Sequence, residues 1–250
     1  MYDIFTQMGA VWGQQFGLEV PNYFAQGDAP TYETPSFRRS DAFAATAREV
    51  QAVRASVGIN EVQNFGKYSV EGPEARAWLD RVMAGRVPQP GRVSLTPMLS
   101  HKGKLIGDFT ISCLDAEHFN LTASYGSQAF HMRWFEQQAQ AGVTLTNVSD
   151  RRTGFQIAGP KARDVLQAAT LTDISTMRFM DVRPLVVGQV ACTVQRVSYT
   201  GDIGFEIYCD AMDQRALWSV LWSAGKPLGM TPFGMRAMMS LRLDKFFGSW

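Results

Sequence analysis

No Lys or Arg occurs before Arg38, so the N-terminus lacks the charged start of a signal or transit peptide. Over the whole chain 24 Lys+Arg face 23 Asp+Glu, a net charge of +1. With no basic excess there is nothing to hold a phosphate backbone, and nucleic acid is not expected as a partner. No apolar run approaches the ~20 residues of a membrane span, so no membrane is expected either. Cysteine is scarce: Cys113, Cys192 and Cys209 are odd in number and show no CxxC spacing. Buried reduced thiols fit that pattern, and with them a cytoplasmic location. His101, His118 and His131 are scattered without ligand spacing, so no metal is expected. The GxGxxG, P-loop and GxSxG motifs are missing, so no FAD site is expected on this chain, nor any NAD or nucleotide-phosphate cradle.

What remains is an ordinary globular composition, 46% hydrophobic and 19% charged, over 250 residues. Such a chain buries about three quarters of its unfolded surface and needs no staples. Residues 1–40 are rich in aromatics, Gly, Pro and Gln without a clean period, and read as an extended arm. A helix follows, capped by Ser40 or Asp41 and ended by Gly58, with Arg48, Glu49 and Arg54 on its polar face. An internal repeat comes next. Val70-Glu71-Gly72-Pro73-Glu74-Ala75-Arg76 matches Ile157-Ala158-Gly159-Pro160-Lys161-Ala162-Arg163, 87 residues on. Each copy reads as a strand end, a Gly turn, Pro at the first helical position and an amphipathic helix. Strands are expected at Leu105–Ser112, His118–Ala123, Val143–Val148 and Phe205–Tyr208, and Pro184–Ser198 reads as β-rich. Helices are expected over Gln128–Gln140, about Asp213–Ala224, and Gly234 to about Asp244. Hairpins mixed with helices give an α+β class with mainly antiparallel sheets. The apolar ending, with Phe246, Phe247 and Trp250, is expected of a truncated product or of a tail that docks on the body.

Four side chains stand out. Asp108 lies in Leu105-Ile106-Gly107-Asp108-Phe109-Thr110-Ile111, among apolar residues. A carboxylate buried there has its pKa raised and can serve as a base; the alternative is a solvated Asp on an edge or bulge. Tyr199 and Glu206 bracket the turn Thr200-Gly201-Asp202-Ile203-Gly204. The Tyr can stack on a planar ring and the Glu can pair with an N–C–N edge such as an aminopyrimidine; otherwise they are a core Tyr and a solvated Glu. Arg236, at the start of the last helix, can clamp a carboxylate or simply face solvent.

In order along the chain, Phe16–Ala25, Ser36–Ser40, Glu49–Ile59, Lys102–Ile111, His131–Glu136, Ser198–Tyr208 and Ser240–Trp250 resemble the folate-binding aminomethyltransferase family, the glycine-cleavage T-protein type. Within it the likeness is to the T-protein-like half of bacterial dimethylglycine and sarcosine dehydrogenases. The resemblance implies a clover-like T-protein fold around a central folate cavity. Residues 41–66 with 150–250 would form one antiparallel-sheet subdomain and 67–149 the second, both flanked by helices. The third, β-barrel domain would be missing, and the dehydrogenases' FAD domain with it. Many members carry an aromatic near Leu95 and a Tyr near Ser112, where this chain has neither. Asp108 matches the catalytic Asp, acting as base or electrostatic stabiliser; Tyr199, Glu206 and Arg236 match residues that bind tetrahydrofolate. The implied activity is transfer of a one-carbon group from an N-methyl amine-derived donor to tetrahydrofolate, with a separate FAD-dependent dehydrogenase subunit as a partner. Two alternatives stay open, a tetrahydrofolate methyltransferase or demethylase and a folate-binding protein without transfer activity.

Overall fold

The computed structural model describes residues 1–248. In chain order the elements are α1 (Tyr2–Gln7), β1 (Ala10–Gln15), β2 (Leu18–Phe24), α2 (Ala42–Ala55), β3 (Gly58–Glu61), β4 (Phe65–Glu71), α3 (Ala75–Val82), β5 (Arg92–Leu99), β6 (Leu105–Cys113) and β7 (His118–Ser124). They continue with α4 (Gln128–Gln137), β8 (Thr144–Asn147), β9 (Arg152–Ala158), α5 (Ala162–Ala169), β10 (Val182–Val187), β11 (Val190–Gln195), β12 (Gly204–Asp210), α6 (Gln214–Gly225), β13 (Thr231–Pro232) and α7 (Met235–Leu243). Beside the β1–β2 hairpin stand a six-stranded sheet, β10-β11-β12-β9-β3-β13, and a five-stranded sheet, β5-β6-β7-β4-β8. Every pair is antiparallel except β13 with β3. The α+β class stands, and neither sheet closes into a barrel among the described residues.

Strand alternation sorts the residues into layers. Phe205, Ile207 and Cys209 of β12 join Phe155 and Ile157 of β9 in a buried core with Leu166 of α5 and Leu217 and Leu221 of α6. Phe109, Ile111 and Cys113 of β6 join Tyr68, Trp78, Leu79 and Phe135 in a second core beneath α3 and α4. The residues between them, such as Glu206 and Tyr208 on one sheet and Thr110 and Ser112 on the other, point to the opposite faces. Those two polar faces meet. Arg152 donates from Nη1 to Asn120 Oδ1 at 2.9 Å, and the Thr122 side chain lies beside the Tyr208 hydroxyl.

The repeat has a steric cause. Gly72 and Gly159 sit at φ 123° and 129°, and a Cβ at either would lie 2.3 Å from a backbone oxygen, of Gly142 and Val53 respectively. Only glycine fits such turns. The helices that follow start at Ala75 and Ala162, so Pro73 and Pro160 precede them rather than occupying their first position.

Two further expectations are corrected. Residues 1–40 are not an extended arm throughout: α1 and the hairpin occupy residues 2–24, and only residues 25–41 lack helix and strand. Phe5 is buried, edge-on to Phe24 and Trp218, a long-range contact that short elements without a clean period do not announce. Glu49 does not lie on a polar face. It is 1% exposed and accepts the backbone N–H groups of Phe24 at 2.6 Å and Gly234 at 2.8 Å. It thereby ties β2 and the start of α7 to α2. Of the apolar ending, Phe246 and Phe247 are described, while Ser249 and Trp250 lie outside the described residues.

Burial raises the Glu49 carboxyl from 4.5 to about 7, against the pull of its two backbone donors and Arg48. A folded-state pKa above the unfolded one means that the native state holds the extra proton between those values. The Glu49 contribution to stability is therefore fully present below pH 4.5 and is lost as pH rises through about 7. Its full span is at most about 3 kcal/mol. The stability difference between wild type and Glu49→Gln, from urea unfolding at pH 4.5, 6 and 8, is expected to shrink with rising pH. A pH-independent difference would contradict the assignment.

Candidate functional site

The polar faces place a row of four side chains across four strands. Gln195 of β11 pairs with Glu206 of β12, Glu206 with Gln156 of β9, and Gln156 with Asn60 of β3. Directly opposite residues share a face, so all four point toward the five-stranded sheet and α7. Asn60 donates to the Phe233 carbonyl at 2.7 Å, and Gln156 Nε2 to Asn60 Oδ1 at 3.2 Å and Met238 Sδ at 3.0 Å. These bonds seat the start of α7 against one end of the row. Oε1 of Gln156 and Oε1 of Gln195 are both buried with no partner. Unpartnered buried acceptors are rare and costly. Here they flank Glu206, the one half-exposed member of the row.

Glu206 Oε2 accepts the Tyr208 hydroxyl at 2.8 Å. Burial pushes its carboxyl up, while the Tyr208 bond and the charge of Lys67 pull it down. Lys67, 3% exposed on β4, donates from Nζ to the Phe65 carbonyl at 3.0 Å. Burial lowers its ammonium to about 8, resisted by Glu61 and Glu206. The gap lined by Lys67, Tyr208, Thr193 and Arg152 is about 10 Å³, room for about one water. Glu206 is thus the reachable member of a closed polar layer.

Asp108 stands on the facing sheet. Thr110 pairs with Thr122 and Lys67 with Thr122, so Asp108, two residues from Thr110, shares the face of Lys67. Its apolar neighbours do not bury it: Phe109 and Ile111 alternate into the core and Asp108 itself is exposed. Even so, partial burial raises its carboxyl above the ordinary range, opposed by the N–H of Phe109. Asp108 and Glu206 therefore occupy the two faces that meet, without touching.

Tyr199 and Arg236 are placed elsewhere. The Tyr199 ring is stacked by Phe247 at 6.5 Å between centroids and lies beneath the Arg242 guanidinium. Its hydroxyl donates to the Gly248 carbonyl at 3.1 Å, so Phe247, Gly248 and Arg242 occupy part of its surface. Arg236 does hold a carboxylate, but that of Glu33. It lines a separate cleft of about 630 Å³ between the hairpin, the start of α2 and α7, together with Gln14, Asn22, Arg39, Thr46 and Met239. Among the described residues no group of His, Cys, Asp and Glu is arranged to hold a metal, and no helix is long and apolar enough to cross a membrane.

Sequence reasoning missed Lys67, Gln156, Gln195 and Tyr208. The signal that found Asp108, a polar residue inside an apolar strand, also marks Gln156 in Phe155-Gln156-Ile157. Nothing local marks Gln195 or Lys67, whose burial depends on the other sheet.

The family model for the GCVT N-terminal domain matches residues 1–250. Human mitochondrial dimethylglycine dehydrogenase is 33% identical over 243 residues, 95% of this chain and 28% of that protein. The aminomethyltransferase of Natranaerobius thermophilus is 32% identical over 199 residues, 78% of this chain and 54% of that one. The chain thus spans between a quarter and about half of these relatives. The glycine cleavage aminomethyltransferase T structure from Bartonella henselae superposes with a TM-score of 0.81 at 23% identity, over 97% of this chain and 61% of that chain. A chain of the heterotetrameric sarcosine oxidase from Corynebacterium sp. U-96 does so at 0.56 and 18% identity, over 78% of this chain and 98% of that one.

Proposed function

The chain belongs to the GCVT N-terminal domain family, and from that premise we propose that it is a tetrahydrofolate-dependent one-carbon transferase unit. The observation that supports this most directly is the row around Glu206. A carboxylate between two buried, unpartnered amide oxygens is an all-acceptor set, suited to the N–H groups of a 2-amino-4-oxopyrimidine edge. That set of acceptors therefore fits the N–H edge of a pterin. Tetrahydrofolate, when bound, supplies the amine nitrogens that take up the one-carbon group.

In this reading Glu206 binds and orients, with its charge held by Tyr208 Oη and the nearby Lys67. Asp108 holds or moves a proton at its carboxyl oxygens, a role favoured by its raised pKa. Arg236 can meet a carboxylate of the ligand only by leaving Glu33. Tyr199 can stack on a ring only where Phe247 and Arg242 leave its face open. An N-methyl amine-derived donor, delivered by a separate flavin-dependent dehydrogenase subunit, accords with the names of the dimethylglycine dehydrogenase and sarcosine oxidase relatives.

Titration calorimetry with folinic acid tests the reading. Saturable heat at micromolar to millimolar ligand is expected. Absence of heat and of any thermal shift at millimolar folinate would sink it.

A further inference from the structure

The β5–β6 ladder pairs Met98 with Gly107 but Leu99 with Leu105, leaving Ile106 without a partner on β5. This is a β-bulge, a device that re-aims neighbouring side chains. On the other side β7 pairs with β6 only from Thr110 onward. Residues 105–109 therefore hang on one irregular ladder, and Asp108 is among them.

A side chain from α4 reaches this segment from beneath. His131 is fully buried, its Nδ1 lies 3.1 Å from the Tyr68 hydroxyl, and its ring hydrogen-bonds the Ile106 backbone. A Cβ on Gly107 would lie 2.5 Å from His131 Nε2, so the imidazole presses on the strand where only glycine leaves room. The Phe109 ring packs at 4.7 Å from the imidazole centroid. Burial lowers the His131 pKa to about 4, so the ring is neutral and has one N–H. A neutral ring can accept at Nδ1 from the Tyr68 hydroxyl.

We infer that His131 is a positioning residue for Asp108, locking the Ile106 bulge so that Asp108 points to the polar face; this rests on the transferase reading of Asp108. Because strand side chains alternate, a one-residue slip would turn Asp108 toward the apolar layer that holds Phe109. The clamp acts through the backbone and touches no ligand.

The test uses the whole chain with His131→Phe, which keeps a ring and loses both bonds, and His131→Asn, which keeps a donor. The titration of the Asp108 side-chain carbon by NMR is the readout independent of activity. The Asp108 pKa, already raised by partial burial, is expected to rise further in His131→Phe as the carboxyl turns toward the apolar layer, and to return part of the way to the wild-type value in His131→Asn. The rate of transfer to tetrahydrofolate should fall about 10²-fold, the cost of a small misplacement, while folinate affinity stays within about threefold. Gly107→Ala pushes the same contact from the strand side and should shift the Asp108 titration too, which decides the matter if His131→Phe does not fold. An unchanged Asp108 titration in the variant that folds would overturn the inference, as would equal losses of rate and folinate affinity. Failure of the transferase reading looks different: Asp108→Asn would then keep full activity, while the NMR shift would still report on the clamp.

Discussion

Replacing Asp108 by Asn is expected to slow one-carbon transfer to tetrahydrofolate by about 10²–10⁴-fold, the usual worth of a positioned acid–base group. The substitution keeps the shape and removes the charge. It should leave the fold intact, because Asp108 is exposed and the Phe109 and Ile111 core lies on the other face. Folinate affinity should change far less than the rate, because the acceptor row stands on the six-stranded sheet and Asp108 on the five-stranded one. The assay is transfer from formaldehyde to tetrahydrofolate, corrected for the spontaneous condensation. A rate within a few-fold of wild type, with folinate binding intact, would remove Asp108 from the chemistry and favour a binding protein.

The second large effect is expected at Glu206, with the opposite signature. Glu206→Gln removes the charge and replaces one acceptor oxygen with a donor, facing the same N–H groups that the carboxylate would accept. It also takes from the Tyr208 hydroxyl the charged oxygen it bonds at 2.8 Å, and from Lys67 one of the three carboxylates, with Glu61 and Asp150, that support its ammonium. Hydrogen bonds to a charged group contribute roughly 1.5–3 kcal/mol, so folinate affinity should fall about 10- to 100-fold. Calorimetry on wild type and variant under one buffer decides it. Wild-type affinity in Glu206→Gln would take the row out of the ligand site and leave the 630 Å³ cleft around Arg236 as the place to look.

These two residues also show where a sequence is legible. Asp108 is visible because a charged residue interrupts an apolar strand, and Glu206 because it follows a Gly-rich turn at the start of one, signals contained in a few neighbours. Glu49 misleads for the same reason in reverse. In α2 it sits between Arg48 and Val50, next to a helical polar stripe, and only the approach of β2 and α7 buries it.

By itself the sequence determined what short-range physics controls. The period-2 runs placed β6, β7 and β12, the 3.6-residue periodicity placed α2 and α6, and the Gly72 and Gly159 turns fixed where two strands hand over to two helices. The family came from the resemblance of particular segments, such as Lys102–Ile111 and Ser198–Tyr208, to known members. Only the tertiary structure decided which side chains form the row of Gln195, Glu206, Gln156 and Asn60. Gln156 and Asn60 are 96 residues apart, and nothing local fixes the register that sets them side by side. The tertiary structure alone also turned Tyr199 and Arg236 toward Gly248 and Glu33. A side chain at the surface of its own element is directed by whichever neighbour supplies the missing charge, acceptor or apolar face.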